Sequence, residues 1–261
     1  MADSGREARI AAAAEILFAA RRDGRLIDGL PAEASPRDLA EAIAVQDALA
    51  RRSGARTLGW KIGATAKEVQ AKIGLAHPFF GRVFAGTLHE SGAALPAGGG
   101  HNILEAELAV RLGADCAGQS HSAETVAGAV ADVLLCIEIN RPSFRSPFAM
   151  RGVDVIADNG SNAGLVLGPP MPDWRKRDLA AIAVVFRVNG TERAHGSGAA
   201  AMGHPFAALA WLANERARLG APLRAGEIVA TGSLMGFVAA KAGDTAEAEF
   251  PGIGMVSLRL V

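Results

Sequence analysis

The chain contains no tyrosine and only two cysteines, and its 27 lysines and arginines are balanced by 27 aspartates and glutamates. Each shortage removes a class of function. Without tyrosine, and with 31 glycines, the chain favours tight turns and close backbone approach over platforms for stacking bases. Zero net charge provides no field to recruit nucleic acid or an anionic membrane. Cys116 and Cys136 form no C-x-x-C pair, so no disulfide framework is expected and a cytoplasmic location is the simpler reading. No uninterrupted apolar run reaches membrane-spanning length. Arg6 and Arg9 precede the apolar run 10–20 as they would in a signal peptide, but Glu15 interrupts it and Ala19-Ala20-Arg21-Arg22-Asp23 makes a poor cleavage site. Walker A, H-E-x-x-H and G-x-S-x-G motifs are missing too; Gly160-Ser161-Asn162-Ala163-Gly164 has its serine one place early. Gly196-Ser197-Gly198 meets its third glycine only at Gly203, too late for a dinucleotide fingerprint.

What is present reads as helices first and strands after. Ile10, Ala13, Ala14, Leu17 and Phe18 fall on one face of a helix, and a second helix is expected from Ser35 as N-cap with Pro36 at its first position. Ser53-Gly54 ends it, which makes residues 1–55 a helical appendage to a catalytic domain over 56–261. The pattern then predicts a strand over 58–62 and a capping box at Thr65-Ala66-Lys67-Glu68. Further strands are expected over 103–112, 133–139, 164–168 and 182–188, the last turning at Asn189-Gly190 into a hairpin. Helices after Ser122 and over 205–219 interrupt strands that resume at 227–231, 245–250 and 255–261, a β-rich α+β chain.

Three carboxylates stand out in apolar surroundings. Glu105 and Glu107 lie in Ile103-Leu104-Glu105-Ala106-Glu107-Leu108, and Glu138 in Leu135-Cys136-Ile137-Glu138-Ile139. Residues two apart on a strand share a face, so Glu105 and Glu107 project side by side. Like charges in apolar segments need a cation, and three carboxylates suit a hard divalent ion such as Mg²⁺ or Mn²⁺. The other reading is a solvated strand face with Glu138 unrelated to it.

The run Leu58-Gly59-Trp60-Lys61-Ile62-Gly63-Ala64-Thr65, followed by Glu105-Ala106-Glu107, Glu138 and Asp154-Val155-Ile156-Ala157-Asp158-Asn159-Gly160-Ser161, carries a wider resemblance. With Gly203-His204-Pro205, Thr231-Gly232-Ser233-Leu234 and Lys241-Ala242-Gly243-Asp244, the chain resembles the 2-oxopent-4-enoate hydratase and 4-oxalocrotonate decarboxylase branch of the fumarylacetoacetate hydrolase superfamily over nearly its whole length. The resemblance implies a mainly β mixed sandwich or roll, often oligomeric. It implies one divalent ion held by Glu105, Glu107 and Glu138, and a small 2-oxo acid that chelates the ion. The activity implied first is 2-keto-4-pentenoate hydratase, a lyase of aromatic-compound catabolism. Decarboxylation of 4-oxalocrotonate, or another carbon–carbon cleavage of a keto acid, is the alternative, and a silent metal-binding scaffold a further one. Hydrolysis ranks third among the reactions, because His101 lies in no matching motif.

Lys61 is the candidate catalytic residue, binding the substrate carboxylate or moving a proton, against a structural ion pair. Ser161, Thr231 and Ser233 are candidate substrate-binding hydroxyls, against turn residues that satisfy their own backbone. One departure is informative. At Pro78-Phe79-Phe80-Gly81 hydratases of this branch often carry an acid where this chain has Phe79: either His77, Lys61 or a metal-bound water moves the proton, or the reaction needs less proton transfer, which weakens hydratase and strengthens decarboxylase.

Overall fold

Two helices lead the chain, and each is set by its own local chemistry. The computed structural model describes residues 2–261, with α1 over Ala2–Arg22 and α2 over Leu39–Ser53. Ala13, Ala14 and Leu17 are fully buried, the inner face that the spacing predicts. The second helix starts later than expected. Asp38, not Ser35, is its N-cap, and the carboxylate accepts from the Glu41 N–H at 2.8 Å; a negative charge suits the positive end of the helix. Ser35 is drawn away, its hydroxyl donating to Asp154 at 3.3 Å. Gly54 closes α2 in the left-handed conformation, at φ 64°. The expected capping box at Thr65 does not form either. Helix α3 (Lys67–Lys72) begins one residue later than expected, so Ala66 occupies the N-cap and offers no side-chain bond, while Thr65 lies against Gly232.

Two mixed sheets follow. The larger runs in the order β2 (Phe79–Phe84), β1 (Thr57–Gly63), β10 (Ile228–Ala230), β5 (Ile103–Leu112), β6 (Val130–Asn140), β7 (Asn162–Pro170) and β3 (Leu88–Glu90), with β11 (Val238–Ala239) also on β5. The smaller runs β4 (Ala93–Leu95), β13 (Gly254–Leu260), β12 (Thr245–Phe250), β8 (Ala183–Val188), β9 (Thr191–Ser197). Helix α4 (Ala123–Ala127) is capped by Ser122, α5 spans Gly152–Ala157, and α6 spans Pro205–Arg218. The fold is α+β. No helix among the described residues is long and apolar enough to cross a membrane.

The alternation along β5 and β6 divides the core. Leu104, Ala106, Leu108 and Val110, with Leu135, Ile137 and Ile139, join Phe250, Val256 and Leu258 of the smaller sheet in one apolar cluster. The opposite face carries Ala109, Leu134 and Cys136 in a second, smaller cluster, and in the same alternation Glu105, Glu107 and Glu138. A third cluster unites Ala13, Ala14 and Leu17 of α1, Ala42, Val45 and Leu49 of α2, Phe79 of β2 and Ile156 of α5. The leading helices thus share a core with the strand and the short helix that border the carboxylate face.

Candidate active site

Strand pairing brings the three carboxylates together. In the antiparallel β5–β6 ladder Glu105 is opposite Glu138 and Glu107 opposite Cys136. One oxygen of each glutamate lies within 4.8 Å of the others, and Glu107 and Glu138 are each only 1% exposed. Every carboxylate has one oxygen held by a fixed amide. Asn140 Nδ2 donates to Glu105 Oε2, Asn162 Nδ2 to Glu138 Oε1 and the Gly232 N–H to Glu107 Oε2, each at 2.8 Å. The remaining oxygens of Glu107 and Glu138 are buried without a hydrogen-bond partner. Anionic oxygens orphaned in the interior are costly, and amides that hold the other oxygen of each carboxylate are the usual outer support of a metal site. Three carboxylates against the single ammonium of Lys61 leave a deficit that one divalent cation makes good. The donor set fits a hard ion.

Lys61 enters from β1, where it pairs with Ala230 of β10 and Gly81 of β2. It is 2% exposed. Its Nζ lies 3.2 Å from Glu138 Oε1 and 3.3 Å from Asn140 Oδ1, and 5.1 Å from the centroid of the Phe79 ring. Two glycines grip the stem: a Cβ at Gly160 would lie 2.7 Å, and one at Gly81 3.3 Å, from Lys61 Cε. The ring of Phe79 is seated the same way, since a Cβ at Gly63 would come within 2.3 Å of it and one at Gly160 within 2.7 Å.

The electrostatics follow from crowding. Burial, then the charge of Glu138, pushes Glu105 up to about 7, against the pull of Lys61, the nearby Ser233 hydroxyl and the Asn140 amide. Glu107 is driven well above the usual carboxylate range by burial, then by Glu138 and Glu105. A carboxyl with a raised folded-state pKa stabilises the fold while protonated. For Glu105 that contribution is complete below its ordinary 4.5 and is lost as pH rises through about 7. With a chelator present, thermal unfolding is therefore expected at a lower temperature at about pH 8 than at about pH 5, and Glu105→Gln should flatten this dependence. Equal slopes for wild type and the variant in a melting series would remove Glu105 from the cluster.

The structure brings Glu105, Glu107, Glu138 and Lys61 together and gives the hydroxyls varied settings. Thr231 is buried and donates to the Leu108 carbonyl at 2.8 Å, so toward a substrate it can only accept. Ser233 donates to the Gly236 carbonyl and also faces Glu105. Ser161 ends a turn at φ 63°, its carbonyl accepting from the Arg141 N–H at 2.8 Å.

A model of the fumarylacetoacetate (FAA) hydrolase C-terminal family matches residues 47–261. The chain belongs to this family. Within it, the chain is similar to the 2-keto-4-pentenoate hydratase of Burkholderia vietnamiensis, 37% identical over 251 residues and 95% of each chain. It is also similar to the 2-hydroxyhexa-2,4-dienoate hydratase of Comamonas testosteroni, 36% identical over 214 residues and 81% of each chain. Among solved structures it superposes on the 4-oxalocrotonate decarboxylase of Pseudomonas putida G7, complexed with magnesium and adipate, with a TM-score of 0.92, 27% identity and 98% of each chain covered.

Several residues of this fumarylacetoacetate hydrolase family member escaped the sequence reading. Asn140 was within reach, since it stands two places beyond Glu138 and shares its face. Asn162 and the Gly232 N–H carry no local signal. Phe237 precedes Val238, which pairs with Leu104 beside Glu105, and stacks on Phe148 with ring centroids 5.0 Å apart. Both rings are more than half exposed, an aromatic pair assembled from two loops that periodicity does not connect.

Proposed function

We propose that the protein is a divalent-metal-dependent lyase that hydrates a small 2-hydroxydienoic acid, as the curated relatives named hydratases do. The observation that carries this reading is the pair of orphaned carboxylate oxygens on Glu107 and Glu138 with the Lys61 ammonium 3.2 Å from Glu138. A divalent ion held by Glu105, Glu107 and Glu138 would supply Lewis-acid polarisation of the 2-oxo acid group. In this reading Lys61 binds the substrate carboxylate or passes a proton to the reacting carbon. Phe79 has no proton to give; its ring covers the lysine and keeps water from it. Asn140 and Asn162 keep Glu105 and Glu138 in place, so the site is organised before substrate arrives. The exposed ring of Phe237 near Glu105 suits an uncharged tail better than a second carboxylate.

A second reading is decarboxylation of a vinylogous keto diacid. Phe79, standing where an acid is often found, favours it, as does the Lys72 ammonium, 5.9 Å from the centroid of Phe148. Two substrates separate the readings. The wild type should convert 2-hydroxypenta-2,4-dienoate to 4-hydroxy-2-oxopentanoate in the presence of Mg²⁺ or Mn²⁺, and Phe79→Asp should change that rate without creating the activity. Metal-dependent release of carbon dioxide from 2-oxohex-3-enedioate, with no hydration of the dienoate, would overturn the choice. The reading includes a homo-oligomer, which the resemblance implies and light scattering would test. It also includes a reducing cytoplasm, in keeping with two free, buried cysteines.

A further inference from the structure

The turn beside Lys61 holds an improbable backbone. Asn159, Gly160 and Ser161 take φ of 53°, 60° and 63° in succession, a left-handed conformation that residues other than glycine adopt singly and at a cost. Glycine at 160 relieves one position and makes room for Lys61 Cε and the Phe79 ring. The other two positions must be held from outside. Asn159 is fixed to β2, its Oδ1 accepting from the Arg82 N–H at 2.7 Å and its Nδ2 donating to the Arg82 carbonyl at 2.9 Å. Asp158, fully buried, accepts from the Ser143 N–H and hydroxyl at 2.8 and 2.7 Å.

The remaining restraint comes from far away in sequence. Arg21, in the last turn of α1, donates through Nε to Asp158 Oδ1 at 2.8 Å. It also donates to the carbonyls of Asp158 and of Asn162, the latter at 3.0 Å. A single guanidinium thus grips the turn at its entry and at its exit. Its planar fork aims separate nitrogens at two carbonyls and a carboxylate spread across the turn, a span that the single nitrogen of an ammonium does not match. The exit residue, Asn162, is the one that donates to Glu138 Oε1, the oxygen that also faces Lys61.

We propose that Arg21 is a positioning residue for the reaction: it holds residues 158–162 in the left-handed turn, so that Gly160 confines the Lys61 stem and Asn162 orients Glu138. The proposal rests on the reading that Lys61 acts on substrate. It gives the N-terminal helix a part in the site, although Arg21 lies outside residues 47–261, where the family model matches.

The test uses the full chain with Mn²⁺ and the variants Arg21→Ala and Arg21→Lys. Arg21→Ala should lower kcat for dienoate hydration by roughly tenfold to a hundredfold, the scale of a displacement of about 1 Å at a reacting group. Mn²⁺ affinity by calorimetry should fall by less than the roughly tenfold expected when Glu138 itself is changed, and with Mn²⁺ saturating KM should move by less than about threefold. Guanidinium ion at sub-denaturing concentration should restore part of the lost kcat in Arg21→Ala and none in Lys61→Met. Two readouts need no turnover: amide hydrogen exchange at residues 158–162 should accelerate while the β5–β6 ladder stays protected, and acylation of Lys61, followed by peptide mass, should quicken. If Arg21→Ala does not accumulate, Arg21→Lys carries the same measurements apart from the guanidinium rescue, with a smaller loss expected. Wild-type kcat in Arg21→Ala, or a loss that tracks metal release or global unfolding and is not rescued, overturns the proposal. Should the wild type turn over neither substrate, the functional reading fails; exchange and acylation rates unchanged by the variant would then overturn the positioning role as well.

Discussion

Lys61→Met is expected to reduce turnover by roughly a hundredfold to ten-thousandfold, the range for losing a proton-transfer group, while the protein folds and binds its metal. Methionine keeps most of the aliphatic stem, so the packing at Gly81 and Gly160 survives, while the ammonium over the Phe79 ring is lost. The ammonium is lost from a position 3.2 Å from Glu138. Removing one member of a buried ion pair ordinarily destabilises a fold by about 3–5 kcal/mol, but a divalent ion on the same carboxylates offsets that charge. Steady-state kinetics with saturating Mg²⁺, circular dichroism and calorimetry on one preparation check the three parts of this expectation. A variant that fails to fold even with metal would return Lys61 to a structural role.

Conversion of Glu105, Glu107 or Glu138 to glutamine should each weaken Mg²⁺ or Mn²⁺ binding by at least about tenfold, because a hard cation loses an anionic ligand of nearly unchanged volume. Glu107→Gln should be the most severe. Its orphaned oxygen is fully buried, and its other oxygen receives the Gly232 N–H, so an amide NH₂ must point either at that N–H or at the cation. Glu138→Gln should add a defect in turnover, since it also removes the counter-charge of Lys61. Calorimetric titration of the three variants decides the assignment residue by residue; unchanged affinity in one of them removes that side chain from the metal site.

The strands that carry the carboxylates were legible in the sequence, and so was the shared face of Glu105 and Glu107, because both follow from a period of two along a single segment. The meeting of Glu105 with Glu138 needed a pairing register, which no segment contains by itself. At Ser35 a distant partner prevailed over the local cap, its hydroxyl donating to Asp154; at Thr65 the helix starts one residue later, with Ala66 as its N-cap. The short strands β2, β3, β4 and β11 and the helix α5 gave too few periods to be read. Arg21 was visible only as a charge that ended an apolar run. Its partner stands 137 residues away, and nothing near either residue announces the other.

The seat of Phe79 joins three positions into one unit of change. Its ring rests where Gly63 and Gly160 have no side chains, and it walls the lysine into a medium of low dielectric, where the attraction between Lys61 and Glu138 is several times what water would allow. An aspartate at position 79 would be smaller than the ring and leave room for water above both glycines. A lineage that exchanged one residue for the other would change the solvent of the reaction together with its proton donor, and the two glycines would feel the exchange first.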